Sequence, residues 1–273
     1  MKKLMFAAAA LTAGFAMADV TSANTVGYTT APITAAESKE VYSLMAIPFE
    51  AVDGKGIDLN DLNFPNKTGG WYAYQADEIK FFDPVTGGYE TWFYYADEDY
   101  PEDNEWLSVV GEKSFSKVYP NGIPAGTVFW YMSRQKADGG SMTTSGAVNG
   151  DPTYPVEILR GKYNFVSDPY PVRLDLNNTD QVSFAGQIGG WYAYQADQIK
   201  LWDAATAGYE TWFYYADEDY PEDNEWLSVV GEKSFSKVYP NGLEVGQGFW
   251  YMAREDAKGG TTSFNVIFKS PLK

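Results

Sequence analysis

From position 26 onward, apolar and polar residues alternate in short runs and do not recur every three or four positions. The segment 89–95 is the clearest case. Tyr89, Thr91, Phe93 and Tyr95 fall on one face of an extended chain, and Glu90, Trp92 and Tyr94 on the other. Both faces carry rings, so one should be buried and the other covered or used for binding. Similar aromatic and β-branched runs, bounded by Gly, Pro, Asn and Asp, predict strands over 26–33, 41–49, 71–75, 78–82, 89–95, 106–110, 115–119, 128–133 and 142–148. A second series is expected at 156–159, 163–167, 191–195, 198–202, 209–215, 226–230, 235–239, 249–253 and 263–268. No stretch combines helical spacing with caps. The expected class is all-β.

The second series exists because the chain repeats itself. Residues 69–122 return as 189–242 with six positions changed, and 88–122 returns letter for letter. Five of the six changes, Phe81, Phe82, Pro84, Val85 and Gly87 becoming Leu201, Trp202, Ala204, Ala205 and Ala207, lie around one predicted hairpin; the sixth is Glu78 to Gln198. Outside this block the copies diverge, so either recent gene conversion or a physical demand holds it constant. With a short Asn149-Gly150-Asp151-Pro152 junction, the expected organisation is two tandem homologous modules, 19–149 and 150–273. Each would be a sandwich or a partly open barrel of about seven to nine strands. A short junction also favours a fixed mutual orientation.

Residues 1–18 are expected to be a cleaved signal peptide: Lys2 and Lys3, an apolar run, then Ala16-Met17-Ala18. Its apolar run is too short for a membrane span, and no later stretch reaches the roughly 20 apolar residues that one needs. The protein should therefore be secreted or displayed at the cell surface. Cysteine and histidine are both absent, which removes disulfides, thiol chemistry, the Ser-His-Asp triad and histidine–zinc sites. The net charge of −17 opposes nucleic acid and anionic lipid and favours divalent cations or basic partners.

Three short motifs carry a resemblance. They are Asn24-Thr25-Val26-Gly27-Tyr28, the Tyr-Ser-Leu-x-Ala-x-Pro run from Tyr42 to Pro48, and Pro124-Ala125-Gly126-Thr127-Val128-Phe129-Trp130-Tyr131. Together they resemble exported repeat modules of Verrucomicrobiota- and Lentisphaerota-type bacteria. In the second copy Glu244 replaces Pro124, and Tyr163-Asn164-Phe165 replaces Tyr-Ser-Leu. The resemblance implies a secreted all-β module of unassigned activity and transfers no functional residues.

Two features carry candidate chemistry. The loop 97–105, repeated as 217–225, holds six carboxylates in nine residues. A calcium ion bridging Asp97, Asp99, Asp103 and Glu105, with Asp217, Asp219, Asp223 and Glu225 in the second copy, would relieve their repulsion. The alternative is a loop of solvated acids, since Pro101 and the missing glycine exclude an EF-hand. The second feature is aromatic. Trp92, Tyr94, Trp212 and Tyr214 are candidates for stacking on sugar rings, as in carbohydrate-binding proteins, and 71–74 and 129–132 share their character. Against this stands a core with amphipathic rings at its rim. Arg134 and Arg254 are expected to pair with rings or acids.

The leading expectation is an exported, non-enzymatic surface or matrix protein showing one interaction surface twice, with edge strands available for homo-oligomers. A carbohydrate-binding protein is the alternative. A carboxylate glycosidase is weaker: its two acids must flank the substrate, whereas these cluster in one loop, and Glu78 becomes Gln198.

Overall fold

The computed structural model describes residues 25–34, 40–134, 140–255 and 262–272. The expected leader at 1–18 lies outside the described residues. The first half of the chain forms β1 (Val26–Pro32), β2 (Val41–Ala46), β3 (Glu78–Asp83), β4 (Gly88–Tyr95), β5 (Glu105–Ser108), β6 (Val128–Ser133) and β7 (Ser141–Ala147). The second forms β8 (Thr153–Leu159), β9 (Tyr163–Val166), β10 (Val182–Ser183), β11 (Gln198–Asp203), β12 (Gly208–Tyr215), β13 (Glu225–Ser228), β14 (Phe249–Met252) and β15 (Ser263–Lys269). The class is all-β, as the alternation predicts.

These strands build four antiparallel sheets, none closed into a barrel. The order β2-β6-β3-β4-β5 recurs as β9-β14-β11-β12-β13, and the smaller sheets are β1-β7 and β10-β15-β8. Two aromatic cores follow. One joins Ile33, Met45, Phe64, Trp92, Trp106, Phe115, Phe129 and Tyr131; the other joins Ile158, Val166, Phe184, Trp212, Trp226, Phe235, Phe249 and Tyr251.

Two expected strands fold otherwise, each in both copies. Residues 71–75 form a loop ending in a 3-10 turn, Ala73–Gln75, and 191–195 form the matching turn. Residues 115–119 and 235–239 instead contain short helices, α1 (Phe115–Val118) and α2 (Phe235–Val238). Phe115 and Tyr119 stack 4.8 Å apart, as Phe235 and Tyr239 do at 5.0 Å. Those pairs are four residues apart, the spacing of a helix face, and with one turn only they read like an aromatic strand.

All of β6 is buried, because both of its faces are covered. Phe129 and Tyr131 point into the first core, while Trp130 meets the second half of the chain. There Trp130 lies 5.1 Å from Trp202 and Phe82 lies 4.7 Å from Trp250, with Phe165 close to both Phe82 and Trp250. The Trp202 indole N–H donates to the Tyr42 carbonyl at 2.9 Å, and the Ala46 N–H to the Gly246 carbonyl at 2.8 Å. Gly248 allows this approach: a Cβ there would stand 2.4 Å from Val128 Cγ1.

Candidate functional site

The loop 69–77 leaves the first core and returns to it, and its glycines explain its path. A Cβ on Gly69 would meet the Ala96 Cβ at 2.2 Å, and one on Gly70 would meet the Gln75 Cβ at 2.7 Å. Glycine therefore lets the loop lie directly on the end of β4, where the Gly70 N–H donates to the Tyr94 carbonyl at 3.2 Å and the Ala96 N–H to the Gly70 carbonyl at 3.3 Å.

A buried carboxylate closes the loop. Asp77 accepts from the Thr68 N–H (2.9 Å), the Tyr131 hydroxyl (2.5 Å) and the Arg134 N–H (2.8 Å). Asp197 does the same with the Ile188 N–H (3.0 Å), the Tyr251 hydroxyl (2.8 Å) and the Arg254 N–H (2.7 Å). Burial pushes both carboxyls above the usual range, while these donors pull the other way. The Arg134 guanidinium is taken by Glu40 (2.6 Å), Glu78 (2.7 Å) and the Ala76 carbonyl (2.9 Å). In the second half Gln198 replaces Glu78, and Arg254 and Gln198 both donate to the Ala193 carbonyl.

So anchored, the loop turns its rings outward. Trp71 is 57% exposed and Tyr74 67%; Trp191 and Tyr194 are 57% and 69%. Tyr72 and Tyr74 lie parallel with centroids 5.7 Å apart, and Tyr192 and Tyr194 repeat the arrangement at 5.6 Å. Beside this ledge runs an open groove of about 640 Å³, bordered by Gly70, Trp71 and Gln75 on one side and by Asp97, Glu98 and Asp99 on the other.

The acids of the loop are dispersed. Asp97 is buried: one of its oxygens accepts the Asp99 N–H (2.9 Å), the other the Tyr95 hydroxyl (3.3 Å), and its own N–H donates to Asn104 (2.7 Å). Glu105 faces away and accepts from the Ser114 hydroxyl. Asp99 and Asp103 are exposed. Asp217, Glu225, Asp219 and Asp223 repeat these placements. The structure thus does not gather the four expected calcium ligands of either loop, and among the described residues no three carboxylates come together as an ion would require.

The expected stacking residues are also placed elsewhere. Trp92 and Trp212 are only 0% and 2% exposed, packed edge-on against Phe115 and Phe235 at 4.8 and 5.0 Å. They cannot reach a ligand, because α1 and α2 cover the face that alternation left open. Tyr94 is half-buried against Trp106, with the Lys67 ammonium 4.4 Å from its ring centre, and Tyr214 is half-buried against Trp226. The exposed rings are instead Trp71, Tyr72 and Tyr74. Their spacing held the signal: rings at 71, 72 and 74 after Gly-Gly follow no period of two.

The fold and its ledges define an all-β protein that shows the same outward rings at two places. Comparisons with protein-family models, with curated proteins and with solved structures found no match.

Proposed function

We propose that this is an exported, non-enzymatic binding protein, built of two tandem homologous modules, that presents one aromatic ledge twice. The ligand class that suits the ledge best is a glycan. The observation that carries this reading is the matched exposure of Trp71, Tyr72 and Tyr74 with Trp191, Tyr192 and Tyr194, on loops fixed by buried Asp77 and Asp197. Large rings held in water at a cost in solvation, twice and in the same pose, fit recognition better than core packing. Planar rings accept the apolar face of a sugar, and Gln75, Asp97 and Asp99 border the groove where hydroxyls would need partners. The groove's acids come from one side only, which suits binding and not the two flanking carboxylates of a glycosidase.

A glycan array probed with the full chain tests this. Specific binding should be lost in the Trp71→Ala/Trp191→Ala variant. Each single variant should lose only the gain that a second linked site provides, within the usual range of about 10²–10⁴-fold. A double variant that binds like the parent, or a parent that binds no glycan, would overturn the reading. Melting the protein in calcium and in sodium at matched ionic strength settles the role of the acidic loops. A rise specific to calcium and reversed by chelator would place an ion on them; equal curves leave them as solvated acids, the outcome the dispersed carboxylates favour.

A further inference from the structure

Within the repeated block, five of the six differences lie around the β3–β4 and β11–β12 hairpins, and Phe82 and Trp202 of these stand where the two halves meet. Strand register makes Tyr42 and Tyr163 equivalent, since they oppose Met132 and Met252, so Glu40 and Val41 correspond to Gly161 and Lys162. In the first half Lys80 is ion-paired with Glu78 at 3.0 Å, and Glu40 with Arg134 at 2.6 Å. In the second, Gln198 stands for Glu78, Gly161 for Glu40 and Lys162 for Val41. The charge of these four positions (Glu40, Val41, Glu78, Lys80 against Gly161, Lys162, Gln198, Lys200) moves from −1 to +2, in a chain whose net charge is −17. Among the described residues Lys200 and Lys162 have no carboxylate partner.

Shape changes in step with charge. On the first-half side the larger Trp202 ring lies across Trp130 and its N–H is tied to the Tyr42 carbonyl. On the second-half side the smaller Phe82 leaves a groove of about 390 Å³ among Phe82, Lys162, Tyr163, Lys200, Tyr209 and Trp250. Trp250 is fixed by its N–H bond to the Tyr209 hydroxyl at 3.2 Å, and the Lys200 ammonium stands 3.5 Å from the Tyr163 hydroxyl. Among the described residues no acid lines the groove; Asp83, Glu210 and Glu255 adjoin its lining residues Phe82, Tyr209 and Gly161.

We propose that this groove binds a carboxylate carried on a six-membered ring, the ring lying against Phe82 and Trp250 and the carboxylate answered by Lys162 and Lys200. Its volume suits one or two such rings. A free aromatic acid and a terminal uronic acid residue share this chemistry. It is a different site from the ledges, so the two readings stand or fall separately.

Isothermal titration of the full chain with benzoate, benzamide, galacturonate and galactose, at low and at high salt, tests the proposal. At least one acid should bind roughly tenfold more tightly than its uncharged counterpart, with the preference weakening in salt. Which acid binds identifies the source. Lys162→Val/Lys200→Gln should abolish the preference, and Lys162→Arg/Lys200→Arg should keep it. Trp71→Ala/Trp191→Ala should leave it unchanged. Binding of neither acid, equal binding of acid and neutral ligand, or a Val/Gln variant that binds like the parent would overturn the proposal.

Discussion

Asp168 follows β9 and is buried beside the junction of the halves, where Pro169 packs on Gly126 and the Ser167 hydroxyl donates to the Gly126 carbonyl at 3.1 Å. Its carboxyl accepts the Tyr170 N–H at 2.9 Å, and burial pushes its pKa up to about 7. A carboxyl raised in the folded state binds its proton more readily there than in the unfolded chain, so ionising it opposes folding. Stability from this group should therefore fall as the pH rises from the ordinary carboxylate range through 7. Between pH 5 and pH 8 the loss should be about 3 kcal/mol, and Asp168→Asn should flatten the slope and stabilise the protein at pH 8. Urea unfolding at several pH values measures it; an unchanged slope in the variant would reject the assignment.

Within the repeated block the copies differ mostly at the β3–β4 and β11–β12 hairpins, and one difference has an energetic sign. Gly87 turns the first hairpin at φ 72°, and Ala207 holds the same left-handed position at φ 51° in the second. A Cβ in that region is strained by about 1–2 kcal/mol, offset in part by the entropy glycine loses on folding. Ala207→Gly should leave stability unchanged or raise it by up to about 1 kcal/mol, and Gly87→Ala should lower it by a similar amount. Thermal unfolding of both variants checks the pair.

At this scale most of the fold was legible. Alternation found β4, β6 and their repeats almost to the residue, and the hairpin before β4 is expected too. It failed where rings crowd a short segment. Phe115 and Tyr119 read as strand because one helical turn offers too few positions to show its period. Alternation left Trp92 open to stacking or to core packing, because the element that covers it is that same misread helix. The ledge is half-legible: Trp71, Tyr72 and Tyr74 stand out as aromatic in the sequence, but only the fold shows that Gly69, Gly70 and Asp77 hold them in water. The junction was hidden too, since outer-face rings such as Phe82 and Trp250 look alike whether they await a ligand or another sheet.

Across the whole molecule, the junction should join the halves into one cooperative unit. Phe82, Trp130, Phe165, Trp202 and Trp250 interlock there, beside the Ala46–Gly246 backbone bond and the bond from the Trp202 N–H to the Tyr42 carbonyl. Calorimetry of the native chain should show a single transition, and Trp202→Ala, which removes a ring contact and a hydrogen bond together, should split it in two. Two transitions in the native chain would mean that the contact is too weak to couple the halves.

The junction also bears on how the chain is made. When the first half leaves the ribosome, Phe82 and Trp130 are uncovered and the rings that will cover them are not yet synthesised. Neighbouring nascent chains then offer one another a face much like the proper one. The two faces are not the same, however: among other changes, Phe165 stands where the first half has Leu44, and Trp202 where it has Phe82. A late half therefore meets an early one with two larger side chains than a second early half would bring. The junction is thus made by two unlike faces, and a mispaired neighbour would lack the bond from the Trp202 N–H to the Tyr42 carbonyl.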